Sequence, residues 1–449
     1  MKEIENVDNR CLDKDCALRL VDFINLSPSM YNAIDNLIDF LREYGYKEID
    51  LKNKISMQVG GNYYISLGSS GLIAFSIKCD EIETKGLKII GSHSDSPCFR
   101  IKPNPEVKVG DYIKLNVEPY GGMIDSTWLD RPLGIAGRVF IRNKEHIFKP
   151  KEFVVDSKRA ECIIPNLAIH MNRQVNDGHA YNKQNELMPL VLSTMKDVEE
   201  SYINTLCVEL IERDYNIKIE KEDILDFDLY LYEYEKASLV GAKGEFISSG
   251  RLDNLSSAYA SIEALIDTTR DSSSAINMAV VFNNEEVGSL SKEGADSRTL
   301  ENIIERICIG LGKSREEMLM AIENSFMLSA DLAHAVHPNY KDQADPTNKP
   351  EFGKGLAIKI HAGKAYASDA QSVSVFTDIC KRAGIEYQLF TNRSDKRSGS
   401  TIGSIVSSKL SMPIVDFGMP ILAMHSIREL AMVEDYNNYR QAMKEFFSI

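Results

Sequence analysis

The sequence predicts an α/β protein in which one α/β domain is interrupted by an inserted, β-rich domain. Three observations carry this expectation. At 449 residues the chain exceeds one ordinary hydrophobic core, so two domains are expected. Both flanks alternate helical and strand patterns, as an α/β sheet requires. From about 99 to 235 the texture changes to short strands separated by turn residues, with few helical patterns. The expected division is residues 1–98 and 236–449 for the α/β domain and 99–235 for the insert.

The elements follow from periodicity. Residues 29–45, SMYNAIDNLIDFLREYG, place Met30, Ile34, Leu37, Ile38 and Leu41 on one helical stripe, with Ser29 as N-cap and Gly45 as C-cap. Apolar or alternating runs at 62–66, 72–77 and 87–92 read as strands. In the middle block, KVGDYIKLNVEPYG, RVFIR, EFVVDS and AECIIPNLAIH read as short strands. Beyond it come a helix at 254–268, a strand at 277–283, helices at 298–311 and 314–322, and a strand at 325–330. Strands at 355–361, 387–391 and 413–417 complete the pattern, with helices at 369–383 and 401–409. DQADPTNKP, 342–350, reads as an exposed loop.

Composition narrows the class. The chain is 43% apolar and 26% charged, which is that of a soluble globular protein. No run approaches 18 apolar residues, so no membrane partner is expected, and MKEIENVDNR has no apolar core of a secretory signal. A formal charge of −14 argues against nucleic acid, whose phosphates need a basic face. Eight scattered cysteines form no CxxC pair, which reads as reduced thiols in a cytoplasmic protein. Cys98, just after SHSDSP, has no local feature that would activate a thiolate.

The chemistry collects where apolar runs end. LKIIGS delivers His93 and Asp95, MAVVFNN delivers Glu285 and Glu286, SFMLSA delivers Asp331, and PIVDFGMPILAM delivers His425. Asp253 sits in SGRLDNLSSAYA, where a loop enters a helix. Ligands of open α/β sheets gather outside the carboxyl ends of strands. Taken singly, each of these residues is an ordinary turn former or helix-start acid. Together they are acids that would repel one another unless a divalent cation lay among them. Two histidines and three carboxylates suit two ions sharing one bridging carboxylate better than one four-coordinate zinc. Asp95, two residues beyond His93 in an extended segment, can hold the imidazole N–H. Glu285 and Glu286 cannot both address one atom, so one would ligate while the other serves as general base.

With those residues assembled, the sequence resembles the aspartyl aminopeptidase and vacuolar aminopeptidase I family of dinuclear zinc exopeptidases. The matching segments are GSHSDSPCFRIKP (91–103), TWLDRPLGIAGRV (127–139), IPNLAIHMNR (164–173), SGRLDNLSSA (249–258) and FNNEEVGS (282–289), followed by SADLAHAVHPNY (329–340), SGSTIGS (398–404) and LAMHSIRELA (422–431). The resemblance implies a zinc-exopeptidase catalytic domain with a mixed sheet and an inserted dimerisation domain. It makes His93 and Asp331 ligands of one zinc, Glu286 and His425 ligands of the other, and Asp253 the bridge. Glu285 becomes the general base and Asp95 the support of His93. His334, Lys359 and Tyr366 fall where the family contacts substrate, and His170, in the insert, where it reaches a neighbour's active site. His170 also has a rival reading as a metal ligand beside His93 and His425. The implied assembly is a homo-oligomer, a dodecamer.

The expected function is therefore a zinc aminopeptidase that removes the N-terminal residue from peptides. The basic stretch NRSDKRSG before SGSTIGS, and ASDAQSVSVF after Tyr366, border the expected pocket for the first side chain. They leave open whether that residue is acidic or neutral. Two other readings stand beside it: a dinuclear amidohydrolase acting on N-acyl amino acids, and a catalytically idle assembly protein on the same fold, which would have no use for an unliganded Glu285.

Overall fold

The structure is a computed structural model that describes residues 14–193, 201–268 and 274–449. The decapeptide MKEIENVDNR and Cys11 lie outside the described residues. The seven cysteines that are described are free thiols.

A nine-stranded mixed sheet forms the frame. Its spatial order is Lys47–Glu48, Asn62–Leu67, Gly71–Ile77, Ile276–Phe282, Leu87–His93, Phe326–Ala330, Ile414–Gly418, Leu356–Lys359 and Tyr387–Phe390. Ile276–Phe282, Leu87–His93, Phe326–Ala330 and Ile414–Gly418 run parallel to one another, so their carboxyl ends share one edge. Strand side chains alternate between two cores. On Ile276–Phe282, Ala279 and Val281 join one buried cluster, while Met278, Val280 and Phe282 join the other. Both faces are apolar because both are covered by helices.

The first face carries Asp15–Leu26, Met30–Glu43, Leu252–Asp267, Ala370–Ala383 and Val433–Ser448; the second carries Thr299–Gly310, Arg315–Glu323 and Ile402–Lys409. In the helix Met30–Glu43 the hydroxyl of Ser29 accepts from the Asn32 amide, as an N-cap does. That helix ends at Tyr44, one residue before the expected Gly45, which takes the left-handed conformation beyond it.

The segment between residues 98 and 233 builds a six-stranded antiparallel sheet of its own. Its order is Lys151–Asp156, Leu133–Ile141, Ile224–Glu233, Cys98–Val109, Tyr112–Tyr120 and Leu190–Ser193. Phe99, Val117, Trp128, Val139 and Leu229 pack in its core against the helix Tyr202–Tyr215. AECIIPNLAIH does not form the expected strand. Residues 162–164 make only isolated bridges, and the chain then runs exposed through 165–171.

A third, five-stranded sheet had no sequence signal. Its order is Ser238–Val240, Phe246–Ser249, Glu429–Met432, Pro420–Leu422 and Ala333–His334. Its strands are two to four residues long, too short to show a period of two. This small sheet matters because it takes over where the large sheet stops. No described helix is long and apolar enough to cross a membrane.

Candidate metal centre

Every strand-end residue singled out in the sequence arrives at one place. His93 ends its strand, Asp331 follows Phe326–Ala330, and Glu285 and Glu286 form a tight turn after Ile276–Phe282. Asp253 lies in the first turn of Leu252–Asp267, just beyond Phe246–Ser249 of the small sheet. His425 sits in the loop between Pro420–Leu422 and Glu429–Met432. Three of these approaches pass through left-handed backbone at non-glycine residues: Arg251 at φ 59°, Asn284 at φ 61° and His425 at φ 66°. Such conformations persist only where the surroundings hold them, and they cluster at functional sites.

The side chains fall into two triads that share Asp253. His93, Asp253 and Asp331 bring one ligand-type atom each to within 4.8 Å of one another, and so do Asp253, Glu286 and His425. The Nε2 of His93 is 3.6 Å from Asp253 Oδ1 and 3.8 Å from Asp331 Oδ1. The Nε2 of His425 is 3.5 Å from Asp253 Oδ2 and 3.3 Å from Glu286 Oε1. A third grouping places Glu285 and Glu286 within the same 4.8 Å of His93, without Asp253. Glu285 therefore borders the centre but does not belong to either triad built on Asp253.

Both imidazoles are oriented from behind. His425 Nδ1 donates to the Gly122 carbonyl at 2.8 Å, and His93 Nδ1 to the Asp95 carbonyl at 3.1 Å. A carbonyl only accepts, so each ring carries a proton on Nδ1 and turns Nε2 toward the carboxylates. The Asp95 carboxylate is fully buried and ties three segments together. It lies 3.3 Å from His93 Nδ1, accepts the amides of Glu285 and Glu286 at 3.2 and 3.1 Å, and accepts the Tyr120 hydroxyl at 2.8 Å. Tyr120 in turn accepts from Asn284.

The electrostatics are those of uncompensated negative charge. Burial pushes Glu286 up to about 7, and burial with the neighbouring carboxylates pushes Glu285 well up against the pull of His93. Burial opposes a charged His425, yet Asp253 and Glu286 raise it to about 12. His93 is likewise raised against its burial by Asp331 and Asp95. Asp331 is held well below the usual carboxylate range, although burial opposes this, because Lys359 donates to its Oδ2 at 3.0 Å. Clustered buried carboxylates favour positive charge among them, carried by a proton or by a cation. Asp253 Oδ1 is buried and finds no hydrogen-bond partner among the described residues. An orphaned carboxylate oxygen facing His93 Nε2, with the other oxygen of the same carboxylate facing His425 Nε2, fits a divalent cation on either side, and the mixed donor set fits zinc.

The expected substrate contacts divide. His334, Lys359 and Tyr366 line the same pocket as His93, Asp331, Glu285 and His425. Lys359 is buried, with its ammonium 5.5 Å from the centroid of the Tyr366 ring. His334 packs edge-on against Phe390. His170 is not among the pocket's lining residues and stands exposed in the loop that follows Ile164. Burial drives the Cys98 thiol well up, so no thiolate is available there. Sequence reasoning passed over Tyr120, Asn284 and Glu429. Their signals were weak: Tyr120 and Glu429 follow no apolar run, although Glu429 lies within the quoted LAMHSIRELA, and Asn284 closes MAVVFNN but is neither an acid nor a histidine.

Comparison with known proteins bears on this geometry. A family profile described as "Aminopeptidase I zinc metalloprotease (M18)" matches residues 23–447. A protein of Clostridium acetobutylicum described as "Probable M18 family aminopeptidase 2" is 45% identical over 435 residues, covering 96% of this chain and 98% of the relative. Among solved structures, a chain in the cryo-EM structure of the Ape4 and Nbr1 complex superposes with a TM-score of 0.92 at 32% identity, covering 97% of this chain and 86% of the other. The S. cerevisiae mApe1 dodecamer gives a TM-score of 0.82 at 26% identity, covering 97% of this chain and 96% of its subunit.

Proposed function

The chain belongs to the aminopeptidase I family of zinc metalloproteases (M18), and from that premise we propose that it is a two-zinc aminopeptidase whose general base is Glu285. The observation that carries the reading is the pair of histidine–carboxylate triads sharing Asp253. His93 and Asp331 would hold one ion, Glu286 and His425 the other, and Asp253 both. Bound zinc would supply Lewis acidity, polarising the scissile carbonyl and acidifying the attacking water.

The chain's own residues do the rest. Glu285 borders the centre without joining either triad built on Asp253, and burial makes its carboxylate more basic than an exposed one, as a general base requires. It takes the proton of the attacking water and later gives it to the leaving amine. Asp95 holds Glu285 and Glu286 by their amides, so base and ligand keep a fixed relation. Lys359 fixes Asp331, while Tyr366 and His334 face the substrate. The β-rich unit between residues 98 and 233 is proposed to be an inserted dimerisation domain. The protein is proposed to be a cytoplasmic homo-oligomer, with the dodecamer of its yeast relative as the expected form. An acidic surface, at net charge −14, supports a peptide substrate without nucleic acid.

The test is release of single amino acids from short peptides carrying acidic or neutral first residues, beside N-acylated counterparts. Free-amine peptides should be cleaved, chelator should abolish cleavage, and zinc should restore it. Preference for the N-acylated set would make the protein an amidohydrolase, and silence on every substrate with zinc bound would make it a scaffold.

A further inference from the structure

We propose that Glu429 is the positioning residue of the Asp253–Glu286–His425 triad: its buried carboxylate straps the backbones of Asp253 and His425 together so that both side chains address one cation. The inference rests on the metal reading above and concerns a residue outside the ligand set. Glu429 opens the strand Glu429–Met432 and is 2% exposed. Its Oε2 accepts the Asp253 amide at 3.0 Å, and its Oε1 accepts the His425 amide at 2.8 Å. One side chain thus joins two ligands that come from distant parts of the chain.

Both ligands need such a strap, because neither is held by regular structure. His425 sits in left-handed backbone at φ 66°, which an L-residue adopts only where its surroundings hold it. Asp253 departs from helical dihedrals inside the first turn of its helix, at φ −84°, ψ 104°. The other ties on His425 are its Nδ1 contact to Gly122 and its carbonyl, which accepts the Ile124 amide at 3.0 Å. Asp253 is tied by its carbonyl, which accepts the Ser96 hydroxyl at 2.6 Å. Among the described residues, Glu429 hydrogen-bonds both backbones.

The choice of a carboxylate is itself informative. The two amides meet different oxygens of one rigid fork, and in glutamine one of those oxygens becomes an NH2 group that donates and so faces an N–H. A carboxylate held on the Asp253 and His425 amides would also stand as an outer carboxylate behind the ligands of a bound cation.

Glu429→Gln tests this. The variant keeps nearly the same volume but can accept only one of the two amides. It should retain its circular dichroism and assembly state. In competition with a graded zinc chelator, the ion of the Asp253–Glu286–His425 triad should bind about 10–100-fold more weakly than in the parent, and the other, which shares only Asp253 with it, should be weakened less. A purely structural residue would lower the melting temperature alike with and without zinc and leave both affinities alone. If glutamine disturbs folding, Glu429→Asp, which keeps both acceptors on a shorter stem, should fold and weaken the same ion. A parent with two tight zinc ions and a folded variant that also binds both tightly would overturn the role of Glu429 alone. A parent that binds no zinc would overturn the metal reading, and this inference with it.

Discussion

Glu285 and Glu286 are chain neighbours with different surroundings. Glu286 shares a triad with Asp253 and His425, and Glu285 has no share in either triad built on Asp253. On the proposed reading, Glu285→Gln keeps the amide that Asp95 holds and loses only the proton acceptor. It should bind two zinc ions like the parent, while turnover falls 10²–10⁴-fold, the usual size of lost general base catalysis. Asp253→Ala, in contrast, should lose both ions, since each triad depends on it. Metal analysis alongside turnover separates the two, and near-parental turnover of a zinc-loaded Glu285→Gln would remove the base assignment. Most of the residues brought together here were legible in the sequence because they follow apolar runs, which fixes both element and edge of the sheet, while Asp253 was legible as an acid at a loop entering a helix. What was illegible is the layer behind them. Tyr120 reaches Asp95 from the antiparallel sheet, and Glu429 reaches Asp253 across the small sheet. Contacts between elements so far apart in sequence leave no local pattern.

At the scale of elements, the first turn of Val433–Ser448 holds a testable cost. Asp435 is fully buried there, and the Gly353 amide donates to its two oxygens at 3.2 and 3.0 Å. Burial raises its pKa from 3.8 to about 7. A carboxyl raised on folding contributes stability that is complete below the ordinary pKa and is lost as pH rises through the folded value. Three units correspond to roughly 4 kcal/mol, of which the helix N-terminus can return up to about 2. Asp435→Asn should therefore be stabilised relative to the parent by roughly 2 kcal/mol at pH 8, with the difference shrinking toward pH 4. Chemical denaturation at a series of pH values measures this, and a pH-independent difference would refute it. The same helix shows why parts of the fold escaped sequence reading. Val433–Ser448 and Asp15–Leu26 have no side-chain N-cap, so the start signal is absent, whereas Met30–Glu43 announces itself through Ser29. Tyr202–Tyr215 has its cap in Ser201 but lies in a block whose turn-rich texture masks a single helix. The central strands of the large sheet were legible because they are buried on both faces and bounded by turn residues, whereas the exposed edge strand Lys47–Glu48 was not.

At the scale of the molecule, the unplaced residue is His170. It is exposed, and so are its apolar neighbours Leu167, Ile169 and Met171, at 56%, 46% and 74% of their full surface. Three apolar side chains on one loop are an interaction surface more often than a solvated one. The proposed role is that this loop packs on a second copy and delivers His170 to that copy's pocket. Activity would then require the oligomer, and the two functions would be separable between chains. His170→Phe subunits keep Glu285 but deliver no imidazole, while Glu285→Gln subunits deliver His170 but lack the base. Each should be inactive alone with zinc bound. Coexpressed in equal amounts, half the subunits carry the base, and half of those face a partner with an intact His170. Random pairing across a symmetric interface thus predicts about a quarter of the parental activity. Mixing the finished oligomers should recover nothing until conditions allow subunits to exchange, which ties the recovery to the interface and not to free protein. Mixed oligomers verified by native mass that remain inactive would mean that His170 serves its own chain or none, and the loop's apolar residues would need another partner.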